Sequence, residues 1–191
     1  MDVEISHYAR AMRGVLWAVV AVIAATWLLL GGALTAVEGL FRPGPSAPST
    51  TADVGQAAPQ LRLPLAGGGE IDLDRHRGKI LLVNFWATWC APCRAEMPAI
   101  DRVYRAQRER GFEVLGVDVQ ESDADVLAFL GEVGVSFPSA IDRSGDVTRR
   151  FRANALPTTF LIDQQGTIRD VRVGPLTESM LEERLARLLG P

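Results

Sequence analysis

Lys79 to Pro98 reads KILLVNFWATWCAPCRAEMP. Its first eight residues form a short, nearly continuous apolar run rich in β-formers, the pattern of a strand covered on both faces. A helix is predicted next, over Cys90 to Arg110, with Pro98 expected to kink it. Cys90 therefore falls at a helix N-terminus, where unpaired backbone N–H groups and the helix dipole favour negative charge. A thiolate is such a charge, so Cys90 is expected to be acidic and nucleophilic. Cys93 lies nearly one turn further in, within reach of a mixed disulfide formed at Cys90. Attack by Cys90 and resolution by Cys93 is the order this spacing suggests.

Beyond this segment the pattern alternates. Phe112–Val119 (FEVLGVDV) reads as a second strand, and Asp123–Val133 as an amphipathic helix with Val126, Phe129, Leu130 and Val133 on one stripe. A short strand near Phe137–Ile141 and a helix near Val147–Arg152 follow. Thr158–Asp163 and Thr167–Val173, joined by Gln164-Gln165-Gly166, read as a β-hairpin, and Glu178–Leu189 as a closing helix. Strand, helix, strand, helix, then hairpin and helix describe an α/β sandwich around a central mixed sheet.

Composition narrows the chemistry. The chain has 191 residues, 48% of them hydrophobic and 23% charged, which supports a real core and excludes a disordered chain. Its net charge of -3, with no dense basic stripe, excludes nucleic acid as the expected partner. The only Cys pair has no second pair to complete a structural zinc site, since His76 precedes the strand and His7 lies before the N-terminal apolar run, and no metal or cofactor is expected beyond the Cys90–Cys93 disulfide itself. A bridge closing so small a loop would stabilise by only about 2 kcal/mol, a weak reason to keep it as a staple.

The N-terminal part is different. Gly14 to Val37 is a run of 24 residues without a charge. As a helix it would span about 36 Å, enough for a bilayer. Its length, and the dilution of positive charge by Asp2 and Glu4, favour an uncleaved anchor over a signal peptide cut near Gly31-Gly32-Ala33. Arg10 and Arg13 precede the run and only Arg42 follows closely, which places the N-terminus in the cytoplasm and the bulk of the chain outside. The expected organisation is a cytoplasmic N-terminus (1–13), a transmembrane helix (14–37), a Pro/Ser/Ala-rich linker (38–58) and a globular domain (59–191).

VNFWATWCAPCRAEMP, followed much later by LPTTFLIDQQGTI, resembles the membrane-anchored thioredoxin-like proteins of the TlpA/ResA type, and the cytochrome c maturation reductase CcmG is similar. The resemblance covers about Val54 to Leu189. It implies a thioredoxin-like fold and a cis-proline at Pro157, facing the cysteines and orienting the Leu156 backbone toward a client strand. It also implies that Glu96, three residues after Cys93 on the same helix face, tunes the cysteines; a carboxylate there could accept the Cys93 proton. Asn84 stands where thioredoxin has a buried Asp, which leaves Glu96 as the nearest acid-base candidate. Trp89 is expected to shield the pair and offer an apolar contact to substrate, and Pro92 to face the client with Leu156 and Pro157. Trp86 is expected to pack in the core.

Ala91-Pro92 places no charge between the cysteines, and only about 37 residues separate the second strand from Pro157, too few for the helical domain of periplasmic oxidants. Both features favour a reductase. The family implies protein disulfides as substrates, apocytochrome c cysteines first and oxidase copper-site cysteines second. It also implies a transmembrane thiol donor as electron source. A copper-delivery module using the same sulfurs and a thiol peroxidase are the rival classes.

Overall fold

The computed structural model describes residues 21–22, 24–26 and 52–189. The predicted anchor falls outside the described residues apart from five helical positions, and among the described residues no helix is long and apolar enough to cross a membrane.

Ile80–Trp86 forms β3, and all seven of its residues are buried. It is the central strand of a five-stranded sheet ordered β5-β4-β3-β6-β7, where β4 is Phe112–Val119, β5 Ser139–Asp142, β6 Thr158–Ile162 and β7 Ile168–Val173. β3 runs parallel to β4 and antiparallel to β6, so the sheet is mixed. A hairpin of β1 (Arg62–Pro64) and β2 (Glu70–Asp72) precedes it. The helices are α1 (Ala91–Gln107), α2 (Asp123–Val133), α3 (Asp146–Phe151) and α4 (Glu178–Leu189).

Side chains alternate across β3 and feed two cores. Ile80, Leu82 and Trp86 pack with Met97 and Ile100 of α1, Phe129 of α2 and Leu181 and Leu185 of α4. Leu81, Val83 and Phe85 pack instead with Val147 and Phe151 of α3 and with Leu63 and Ile71 of the hairpin. A strand covered on both sides has no polar face to show, which explains its unbroken apolar reading. The parity of Asn84 places it on the α1 side.

β4, α2 and α4 lie where the sequence predicts them. Helix α1 ends at Gln107 and passes into a tight turn, Arg108–Arg110, which is closed by Gly111 at φ 86°. Pro98 lies inside α1 with its ring exposed, on the side away from the sheet. The β1–β2 hairpin was not expected; its strands have three residues each, too short for an alternation to stand out. Ala52 is buried, and Gly55 N–H donates to the Ile168 carbonyl at 2.8 Å, so the last residues of the predicted linker lie against β7. Beyond Ile168 the outer edge of β7 carries Arg169, Asp170 and Arg172.

Candidate active site

The chain leaves β3 at Trp86, crosses Ala87, Thr88 and Trp89, and enters α1. Cys90 is the N-cap, in an extended conformation, and its Sγ accepts the Cys93 N–H at 3.3 Å. One of the free N–H groups of the first turn is thereby aimed at the leading sulfur, the contact that favours its thiolate once the pair is reduced. Pro92 sits in that first turn, where a missing N–H costs nothing. Cys90 and Cys93 form a disulfide with their Cα atoms 5.3 Å apart. Both are buried, at 4% and 0% exposure, among apolar neighbours of the α1 layer.

Pro157 immediately precedes β6. The register pairs Phe85 with Thr158, which puts Pro157 beside the C-terminal end of β3, the end from which the cysteine loop departs. The Leu156–Pro157 peptide bond is cis. Leu156 is half-buried.

Glu96 lies one turn after Cys93 and is 3% exposed. Its Oε1 accepts from Asn84 Nδ2 at 2.8 Å and its Oε2 from the Leu176 N–H at 2.6 Å, just before α4. Asn84 gives its second amide hydrogen to Thr159 Oγ1 at 2.9 Å, across the β3–β6 register. Burial raises the Glu96 carboxyl to about 7, against the opposing pull of the two hydrogen bonds and of the Arg172 charge. A group poised there can take up and return a proton at neutral pH. An aspartate in place of Asn84 would be a second acid in the same contact. The amide instead supplies two donors and no charge.

Trp86 is fully buried and stacks on Phe129, with ring centroids 4.9 Å apart. The Arg94 guanidinium covers the Phe129 ring at 4.7 Å. Trp89 is 72% exposed, which suits an apolar contact with another chain rather than a shield over the sulfurs.

Several neighbours of the site were not foreseen. Thr159, Leu176 and Arg172 join Glu96 only through tertiary pairing and leave no local pattern. Glu121 accepts from the Thr88 N–H at 2.6 Å and the Thr88 hydroxyl at 2.5 Å. Asp118, fully buried at the end of β4, accepts the Glu121 N–H at 3.1 Å. A signal for Asp118 existed: an acidic residue inside the apolar run FEVLGVDV. Among the described residues no group of His, Cys, Asp and Glu is arranged to hold a metal ion.

A disulfide made and broken at the head of a helix in this fold defines the class, a thioredoxin-like thiol-disulfide oxidoreductase. The chain belongs to the AhpC/TSA family, whose sequence model matches residues 54–171, and its relatives include proteins named ResA thiol-disulfide oxidoreductase. ResA of Bacillus cereus is 34% identical over 163 residues, covering 84% of this chain and 91% of that protein. ResA of Geobacillus kaustophilus is 38% identical over 136 residues, covering 71% and 78%. Among solved structures, a thioredoxin-family thiol:disulfide interchange protein from Chlorobium tepidum superposes with a TM-score of 0.65 at 28% identity, covering 74% of this chain and 97% of that one.

Proposed function

We propose that this oxidoreductase reduces protein disulfides outside the cytoplasm, held at the membrane by residues 14–37. The observation that carries the reading is the placement of Cys90 at the N-cap of α1, its sulfur receiving the Cys93 N–H. In the reduced protein the Cys90 thiolate attacks one sulfur of a client disulfide. That S–S bond breaks, a mixed disulfide forms, and the first client sulfur leaves as a thiolate. Cys93 then loses its proton, with Glu96 as the acceptor, and its thiolate attacks the Cys90 sulfur. The mixed disulfide breaks, the second client thiolate leaves, and Cys90–Cys93 closes. Two electrons have passed from the pair to the client.

Trp89, Pro92, Leu156 and Pro157 are the residues an extended client segment would meet beside the disulfide. Leu156 offers backbone groups for strand-like pairing and Trp89 an exposed apolar ring. Apocytochrome c cysteine pairs are the first client class and oxidase copper-site cysteines the second. A membrane protein presenting a dithiol would reload the pair with electrons, since a reductase in an oxidising compartment consumes them.

The test is a Cys93→Ala variant expressed in cells. Clients should accumulate as covalent complexes through Cys90, released by reductant, with proteins bearing Cys-pair haem or copper sites among them. Complexes forming instead through Cys93 in a Cys90→Ala variant would reverse the assigned roles. Peroxide turnover, or tight Cu(I) retention by the reduced protein, would move the reading to the rival classes.

A further inference from the structure

The loop between β3 and α1 is fastened from a side the exchange chemistry does not use. Thr88 stands two residues before Cys90, and both its N–H and its hydroxyl point to one carboxylate, Glu121, at 2.6 and 2.5 Å. Glu121 arrives there through an uncommon backbone. Gln120 has φ 67°, a left-handed conformation that a non-glycine residue adopts at some cost and keeps when the surroundings fix it. Gln120 N–H is held by the Asp142 carbonyl at 3.2 Å, and Glu121 N–H by Asp118 Oδ1 at 3.1 Å. The chain thus turns sharply off β4, and the turn aims Glu121 back across the sheet end at Thr88.

We propose that Glu121 is a positioning residue for the redox reaction, clamping Thr88 so that Cys90 is held where the Cys93 sulfur can close on it. The proposal rests on the reading that Cys90 is the attacking cysteine. In the closing step the Cys93 thiolate attacks the Cys90 sulfur, the new S–S bond forms and the client thiolate leaves. Ordering Cys90 beforehand raises the effective concentration of one sulfur at the other. Two hydrogen bonds from one residue to one carboxylate fix the loop as a fork does, whereas one would leave a pivot. Asp118 supports the arrangement. Its Oδ1 holds the Glu121 N–H, and burial and the neighbouring Glu121 carboxyl raise its own carboxyl to about 8.

The full chain, equilibrated in glutathione redox buffers, tests this through the constant for closing Cys90–Cys93. Glu121→Ala and Thr88→Val should each weaken closure about tenfold, equivalent to a potential about 30 mV less negative. Thr88→Ser, which keeps the hydroxyl, should restore it. Thermal unfolding of each oxidised variant reports folding separately. An unchanged closing constant in Glu121→Ala and Thr88→Val, whatever their melting temperatures, overturns the clamp, as does an equal loss in Thr88→Ser. Alkylation of the reduced wild-type protein separates the two levels. Modification of Cys90 first upholds the parent reading, and the closing constant then decides the clamp. Modification of Cys93 first overturns the parent reading and the clamp with it.

Discussion

Asn84 donates to Glu96 at 2.8 Å inside the sheet–helix layer, and this contact favours the charged carboxylate against the burial that raises it. Asn84→Asp would put two carboxyls in one buried contact. Their ionisations would then separate, the second moving well above about 7. The pH profile of the resolving step should shift to the alkaline side, while Asn84→Ser should leave the limb in place. Stopped-flow measurement of mixed-disulfide resolution across pH checks it.

Glu96 also predicts how stability responds to pH. Its folded carboxyl sits at about 7 against an ordinary value of 4.5, so the folded chain binds the proton more tightly than the unfolded one. The associated stability is fully present below the unfolded value and is lost as pH rises through the folded one. Glu96 alone should contribute a decline on the order of 2–4 kcal/mol between about pH 4.5 and about pH 7, read by thermal or urea unfolding as the difference between wild type and Glu96→Gln. Asp118, raised to about 8 from 3.8, adds to the decline over the same range and carries it past pH 7. Glu96→Gln should make the curve shallower up to about pH 7, and Asp118→Asn should make it shallower throughout and flatten the part above about pH 7. A rise in stability over this range would contradict both assignments.

Trp89 separates folding from recognition. With 72% of its surface exposed, Trp89→Ala should change unfolding free energy by no more than about 0.5 kcal/mol. Exchange with a protein disulfide should slow about tenfold or more, because an exposed aromatic beside the nucleophile is the natural anchor for a client. Exchange with a small aliphatic disulfide should hardly change. Equal losses for both substrates would place the effect on the sulfur rather than on docking.

Phe129 makes the opposite case. It is buried, stacks on Trp86 and carries the Arg94 guanidinium over its ring. Phe129→Ala should cost about 3–5 kcal/mol of stability. Phe129→Leu should recover most of it, as seen by denaturant unfolding with both proteins oxidised.

The central strand, its helix and the cysteine spacing were legible in Lys79–Pro98 because each depends on neighbours in the chain. β3 is apolar on both faces for a local reason, and Cys90 caps α1 because the strand ends just before it. The partners of Glu96 were not legible in the same way. Asn84 was visible only as a departure from the thioredoxin pattern, and its bond to Glu96 exists because β3 parity turns it toward α1. Leu176 and Thr159 enter from distant segments. The fork on Thr88 depends on the left-handed Gln120, a conformation with no glycine to announce it.

The outer edge of β7 has one more consequence. From Arg169 onward it offers backbone groups along a strand that, among the described residues, no other β-strand covers. Arg169, Asp170 and Arg172 line that stretch, with Arg169 paired to Asp163 and Asp170 to Arg184. A row of fixed charges discourages a neighbouring copy from adding its own strand there. Crowded together at high density, such molecules should stay separate instead of stacking into fibres.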